Sequence, residues 1–229
     1  MKVCMQQPQY MPYIGFFHKL MLSDTCVILD DVQYSKNDFF NRNKIKTAQG
    51  WCWLTIPVVA KNTTLIKDVK INNSMSWREK HFKSILSNYK KAPFFDEHIN
   101  FFESLYKKEW SDLTDLNMGI INYICEQLEI SIKFIRSSSL GVLSTKTERL
   151  IDICKKLDAD TYISGTGAKN YMKDELFKEN KIELFYQDFE HPIYDQRFGD
   201  FEQFMSAIDL LFNKGHKSIE IIKNSGRGS

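Results

Sequence analysis

Three short polar runs carry residue types that could do chemistry on a charged or hydroxyl-rich ligand. The first is Gln6-Gln7-Pro8-Gln9-Tyr10-Met11-Pro12, the second Asp30-Asp31-Val32-Gln33, the third Ser164-Gly165-Thr166-Gly167-Ala168-Lys169. Paired aspartates can hold sugar hydroxyls, bind a metal, or leave one carboxylate as a general base; equally, one of them can simply end a strand and cap a turn. The third run has two glycines and two hydroxyls, a composition that lets backbone approach a ligand and aims amides at an anion such as phosphate. It is neither a Walker loop nor the dinucleotide fingerprint, and a tight turn capped by Ser or Thr explains it as well. A fourth segment, Tyr34 to Thr47, carries Lys36, Arg42, Lys44 and Lys46 among asparagines. It reads either as a phosphate clamp with Arg42 as the bidentate partner or as a solvated face. Among five histidines, His191 stands in the polar run His191-Pro-Ile-Tyr-Asp-Gln196 and is the best candidate for acid–base work.

The elements that must position these runs follow from periodicity. Each of the three polar runs comes directly after a short apolar stretch: Met1–Met5, Thr25–Leu29 and Thr161–Ile163. Gly15 to Leu22 has helical spacing, so the first thirty residues read as strand, loop, helix, strand, a βαβ unit with parallel strands. Strands are expected at 1–6, 25–29, 132–135, 161–163 and 182–185, with helices at 146–157 (Thr145 as cap), 169–179 and 201–212. Trp51–Val59 and Leu65–Ile71 read as two further strands, and 76–128 as three helices breaking near Pro93 and Ser111. The fold class is therefore α/β: a small, mostly parallel sheet built from βαβ units at both ends of the chain, with a helical insert across about 76–128. The whole of 1–229 reads as one domain, with 224–229 as a flexible tail. In open α/β sheets ligands bind beyond the carboxyl ends of the strands, so the three polar runs should share one rim.

Composition narrows the partners. Lys and Arg number 31 against 29 Asp and Glu, which gives no bulk electrostatic case for a nucleic acid. The five cysteines are odd in number and form no C-x-x-C pair, the pattern of a reducing compartment. No charged head precedes an apolar run, and no stretch reaches the ~18 apolar residues of a membrane span. A cytoplasmic location is expected. Two aspartates with no third carboxylate or histidine beside them predict no metal site, and no cofactor is required.

The runs Gln7-Pro-Gln-Tyr-Met-Pro-Tyr-Ile-Gly-Phe-Phe-His-Lys19, Leu29-Asp-Asp-Val-Gln-Tyr-Ser-Lys36, Asn41-Arg-Asn-Lys-Ile-Lys46 and Trp53-Leu-Thr-Ile-Pro57 resemble the WbqC-like family. Tyr162 to Tyr171, Tyr194-Asp-Gln196 and Met205 to Gly215 fit the same pattern, so the resemblance spans nearly the whole chain. It implies bacterial O-antigen and other surface-polysaccharide gene clusters, where nucleotide-linked sugars are modified in the cytoplasm. The reading that follows is a transferase acting on a nucleotide-linked amino sugar, by acyl or aminoacyl transfer to the amine from an unidentified donor. Asp30, Asp31 and His191 are then the catalytic candidates. Gln7, Tyr10, Lys36, Arg42, Lys44, Ser164, Gly165, Gly167, Lys169, Tyr171 and Tyr194 are the binding candidates. Two alternatives are an ATP-dependent nucleotidylyltransferase or ligase-like enzyme, under which alone magnesium enters, and a non-enzymatic scaffold of a polysaccharide-building complex.

Overall fold

Five short apolar strands and the segments between them determine where the polar runs end up. A computed structural model describes residues 1–61, 63–170 and 172–226. The chain opens with β1 (Lys2–Gln6), α1 (Ile14–Met21) and β2 (Thr25–Ile28); β1 and β2 pair in parallel from Val3 opposite Thr25 to Gln6 opposite Ile28. A long excursion follows: the hairpin β3 (Arg42–Thr47) and β4 (Gly50–Thr55), the two-residue strands β5 (Val58–Val59) and β6 (Lys70–Ile71), then α2 (Trp77–Tyr89), α3 (Phe95–Lys107) and α4 (Leu113–Gln127). The chain then returns to the sheet with β7 (Lys133–Arg136), α5 (Lys146–Lys156), β8 (Thr161–Gly165), α6 (Asp174–Glu179) and β9 (Glu183–Gln187). It closes with α7 (Ala207–Lys214) and α8 (Ser218–Lys223).

The main sheet runs β7-β2-β1-β8-β9 with every pairing parallel. Its strands match those expected from the sequence to within two residues at either end. Because a parallel sheet is covered on both faces, its strands alternate between two apolar layers instead of between core and water. Cys4, Cys26 and Ile163 face a large cluster that includes Phe16, Phe17 and Leu20 of α1 together with the insert helices and α7. Val3, Met5, Val27 and Tyr162 face a smaller cluster with Ile151 and Cys154 of α5 and Phe177 of α6. Aromatic side chains pack where the insert meets α7: Tyr89, Phe102 and Phe212 are fully buried, and the Tyr89 and Phe212 rings stack at 4.9 Å. Burying one such side chain contributes roughly 1.5–3 kcal/mol. Among the described residues no helix is long and apolar enough to cross a membrane. All five cysteines are free thiols, and only Cys52 is not buried.

Several sequence expectations are corrected. Trp51–Val59 is two strands, broken at Ile56-Pro57, because proline cannot continue the ladder. Leu65–Ile71 is not a strand. Its backbone instead bonds the loop after β2, through Ile66 N–H to Val32 O and Lys67 N–H to Asp30 O, and only Lys70 and Ile71 pair as strand. The helix expected at 169–179 is a 3-10 turn, Thr166–Asn170, followed by the six-residue α6, which starts where Asp174 and Glu175 favour a first turn. The helix expected at 201–212 begins only after Ser206, whose hydroxyl accepts the Ile208 N–H. Phe204, at φ +58°, turns the chain before it. Thr145 stands at the cap position of α5 but makes no side-chain cap bond. Residues 224–226 of the expected flexible tail are packed down: Ser225 is buried and its carbonyl accepts the Glu190 N–H, while Gly226 bridges to Phe189. Residues 227–229 lie outside the described residues.

Candidate functional site

Counted in order of appearance, the sheet strands lie 3-2-1-4-5, so the chain reverses direction across the sheet between β1 and β8. The crevice beyond the carboxyl ends at such a reversal is where open α/β sheets hold ligands. A cavity of about 700 Å³ opens there. Gln6 and Gln7 enter from the end of β1, Leu29 and Val32 from the end of β2, Ser164 from β8, and Ala168, Met172 and Lys173 from the segment leading to α6. The remaining wall is the first turn of α5, through Lys146, Thr147, Arg149 and Leu150, with Met5 and Tyr162 as an apolar floor. Three cations line this space and no carboxylate does. The first-turn amides of α5 are uncapped by Thr145, and Lys146 sits in left-handed backbone at φ +55°, a cost that non-glycine residues bear only where the surroundings impose it.

Asp31 acts on the cavity indirectly. Its Oδ1 accepts a 2.6 Å hydrogen bond from Arg149 Nη2 and a second from the Ser137 hydroxyl, with both ion-pair side chains at least four-fifths buried. Burial pushes the Asp31 carboxyl up, but the Ser137 hydroxyl and the Arg149 guanidinium more than offset it and hold the carboxyl below its ordinary value. A carboxylate so stabilised is a weak proton acceptor at neutral pH; its evident work is to fix the Arg149 guanidinium, whose Nε–H is buried with no partner. Asp30 is wholly buried. Its carboxylate accepts Ser138 N–H at 2.9 Å and the Ser138 hydroxyl at 2.8 Å, and its own N–H donates to Ser137 Oγ at 3.2 Å, so it ties the end of β2 to the end of β7. Among the described residues no three His, Cys, Asp or Glu side chains gather as metal ligands.

The structure thus brings Gln7 and Ser164 into one cavity with Asp31 behind Arg149, and sends the other candidates elsewhere. The Tyr10 hydroxyl is buried against His81 Nδ1 (2.9 Å) and the Tyr106 hydroxyl (2.6 Å). Lys36 and Arg42 line a separate cleft of about 330 Å³ that shares no residue with the cavity, so the basic arm does not close over the sheet rim. Lys44 lies over the Trp51 ring at 4.3 Å. Gly165 meets only the Lys19 side chain, at ordinary contact distance, and Gly167 faces open space, so neither glycine is demanded by a close approach. Lys169 sits 5.0 Å over the Tyr186 ring, and Tyr171 lies outside the described residues. Tyr194 donates to the buried Asp209 carboxylate at 2.8 Å, alongside Tyr89 and Gln196. His191 has no free nitrogen: Nδ1 lies 2.9 Å from Pro192 O, and Nε2 accepts the Phe204 N–H at 3.1 Å. With Phe201 and Phe204 around it, burial lowers its pKa, and the neutral ring serves packing.

The sequence profile of the WbqC-like protein family matches residues 7–221. The chain belongs to that family. A protein of Mycobacterium tuberculosis (strain ATCC 25618 / H37Rv), named Uncharacterized protein Rv1507c, is 34% identical over 226 residues, covering 97% of each chain. No solved structure matches. The WbqC-like match begins at Gln7 and takes in the cavity wall from there to Lys173. The wall residues that motif reading passed over, Lys146, Thr147, Arg149 and Lys173, carried one usable signal. A helix that follows a parallel strand starts at the carboxyl rim, so the opening of α5 had to face the same crevice as Gln7 and Ser164.

Proposed function

We propose that this WbqC-like protein is a transferase that modifies a nucleotide-linked amino sugar, adding an acyl or aminoacyl group to the sugar amine during assembly of a surface polysaccharide. The observation that carries the reading is the cavity at the strand-order reversal: about 700 Å³, three cations, no lining carboxylate and uncapped helix amides. That combination suits a diphosphate, since oriented amides and arginine stabilise phosphate charge together. Arg149, held by Asp31, takes the diphosphate with Lys146 and Lys173. Gln6, Gln7 and the Ser164 hydroxyl serve the sugar or ribose hydroxyls, and Tyr162 with Met5 supplies an apolar floor for a ring. Asp31 is a positioning residue in this scheme and Asp30 a structural one. Saturation-transfer NMR with dTDP-, UDP- and GDP-linked sugars tests it. Contact is expected with at least one of them and should fade in Arg149→Gln; silence from the whole panel would end the nucleotide-sugar reading.

A further inference from the structure

We propose that the cleft between the basic arm and residues 55–61 is a second anion site, shaped for the phosphate group of a co-substrate and distinct from the sheet-rim cavity. The cleft measures about 330 Å³ and is lined by Lys36, Arg42 and Lys61 with no lining Asp or Glu. Asp38, the nearest acid in sequence, turns its Oδ1 to the Phe39 N–H.

Arg42 is prepared for a ligand rather than left on a solvated face. Its guanidinium carbon lies over the Trp53 ring, 4.3 Å from the centroid, and Nη2 donates to the Asn37 carbonyl. The Nε–H is buried and has no acceptor. A buried donor without a partner needs an explanation, and a phosphate oxygen is one acceptor that would supply it. The wall beneath is rigid: Tyr34 and Asn41 are each 7% exposed, the Tyr34 hydroxyl donates to Asn41 Oδ1 at 3.0 Å, and Asn41 Nδ2 donates to Ile56 O at 2.7 Å. Stacking and hydrogen bonding have therefore already spent the side-chain entropy that phosphate binding would otherwise cost. Three cations match a doubly charged phosphate better than a single carboxylate.

The placement also suits a two-substrate reaction. Val32 lines the sheet-rim cavity and Tyr34 lines the cleft, so their Cα atoms are at most ~7 Å apart. The anion site stands apart from the transferase reading, and only its assignment to a co-substrate rests on that reading.

Arginine Nε–H resonances of the full-length protein, followed while inorganic phosphate is added, test the proposal directly. The Arg42 Nε–H signal should shift saturably with phosphate and much less with acetate. Lys36 and Lys61 are exposed, so Lys36→Gln/Lys61→Gln keeps the fold and should weaken that titration by about tenfold, the scale of losing charge-assisted contacts. Arg149→Gln should leave it within about twofold, since the sites are separate. An Arg42 signal that stays put, moves equally with acetate, or loses its titration in Arg149→Gln would each overturn the second site. A failure confined to the Arg149 Nε–H signal would count against the sheet-rim reading alone.

Discussion

Exchanging Asp31 for Asn removes one charge and almost no volume, which makes it a sharp probe of how the cavity works. Asp31 and Arg149 meet at 2.6 Å with side chains 19% and 15% exposed. That places the pair between exposed ion pairs, worth ~0–1 kcal/mol, and buried ones, whose breaking costs ~3–5 kcal/mol. Discounting for the remaining solvent, the variant should lose about 1–2 kcal/mol, which for a chain of this size lowers Tm by about 2–8 °C. Anion binding should respond differently. The substitution removes one of two carboxylates paired with the lining cations, which favours an anion, while it loosens the arginine that grips it; the other carboxylate, Glu148, lies 3.7 Å from Lys173. The two effects oppose, and affinity for the nucleotide sugar should stay within about threefold, or ~0.7 kcal/mol. Arg149→Gln removes the grip itself and should cost about 1.5–3 kcal/mol of binding, roughly 10–150-fold. Thermal melts and calorimetric titration of the two variants give all four numbers. The reasoning fails if Asp31→Asn abolishes binding at unchanged Tm, because Asp31 would then touch the ligand itself. The pair also sets a pH sign: with the folded pKa lowered, its contribution is complete above the usual carboxylate value and disappears as pH falls through the folded one.

Three more outcomes are expected. Burial depresses the His81 pKa to about 4, so the unfolded chain takes up this proton first as pH falls. Up to ~3 kcal/mol of stability should drain away between about pH 6.5 and 4, and His81→Gln should flatten that part of a melt-versus-pH curve. Asp209→Ala strands the Tyr89, Tyr194 and Gln196 donors in the interior and should cost about 3 kcal/mol or more in urea unfolding; a loss under 1 kcal/mol would mean water replaces the carboxylate. Gly215 combines φ +52° with a Phe94 ring atom 2.3 Å from where a Cβ would sit, so Gly215→Ala should destabilise by ~1–3 kcal/mol in the same assay.

The sheet was legible because parallel strands buried on both faces are short unbroken apolar runs, as at Val3–Met5, Thr25–Ile28 and Thr161–Ile163. The convergence of Gln7 with Ser164 followed from that alone. The basic arm was not legible in the same way, since charge spacing does not say which wall a lysine leans on. Trp51 and Trp53 draw Lys44 and Arg42 along the β3–β4 hairpin, away from the sheet rim. Asp30 and Asp31 are neighbours with opposite fates because successive residues leaving a strand turn opposite ways, one inward to Ser138 and one outward to Arg149. Alternation in Leu65–Ile71 misled because its partners lie in the loop after β2, a tertiary contact that no local pattern encodes.

The excursion between β2 and β7 has a consequence for how the protein is made. Asp30 meets its partner Ser137 107 residues along the chain, and the strand that flanks β2 on its outer side lies equally far downstream. On a ribosome adding ~5–20 residues per second, β2 therefore waits ~5–20 s before β7 is synthesised, and β1 waits longer for β8. During that interval the first βαβ unit carries open strand edges made of apolar residues, the kind of surface that recruits other chains. Of the insert helices, α2 and α3 pack on each other and can form meanwhile, whereas α1 meets its helical partner α8 only at the end of the chain. Late closure of the edges by β7 and β8 makes the final third of the chain the part whose truncation would send this protein into aggregates.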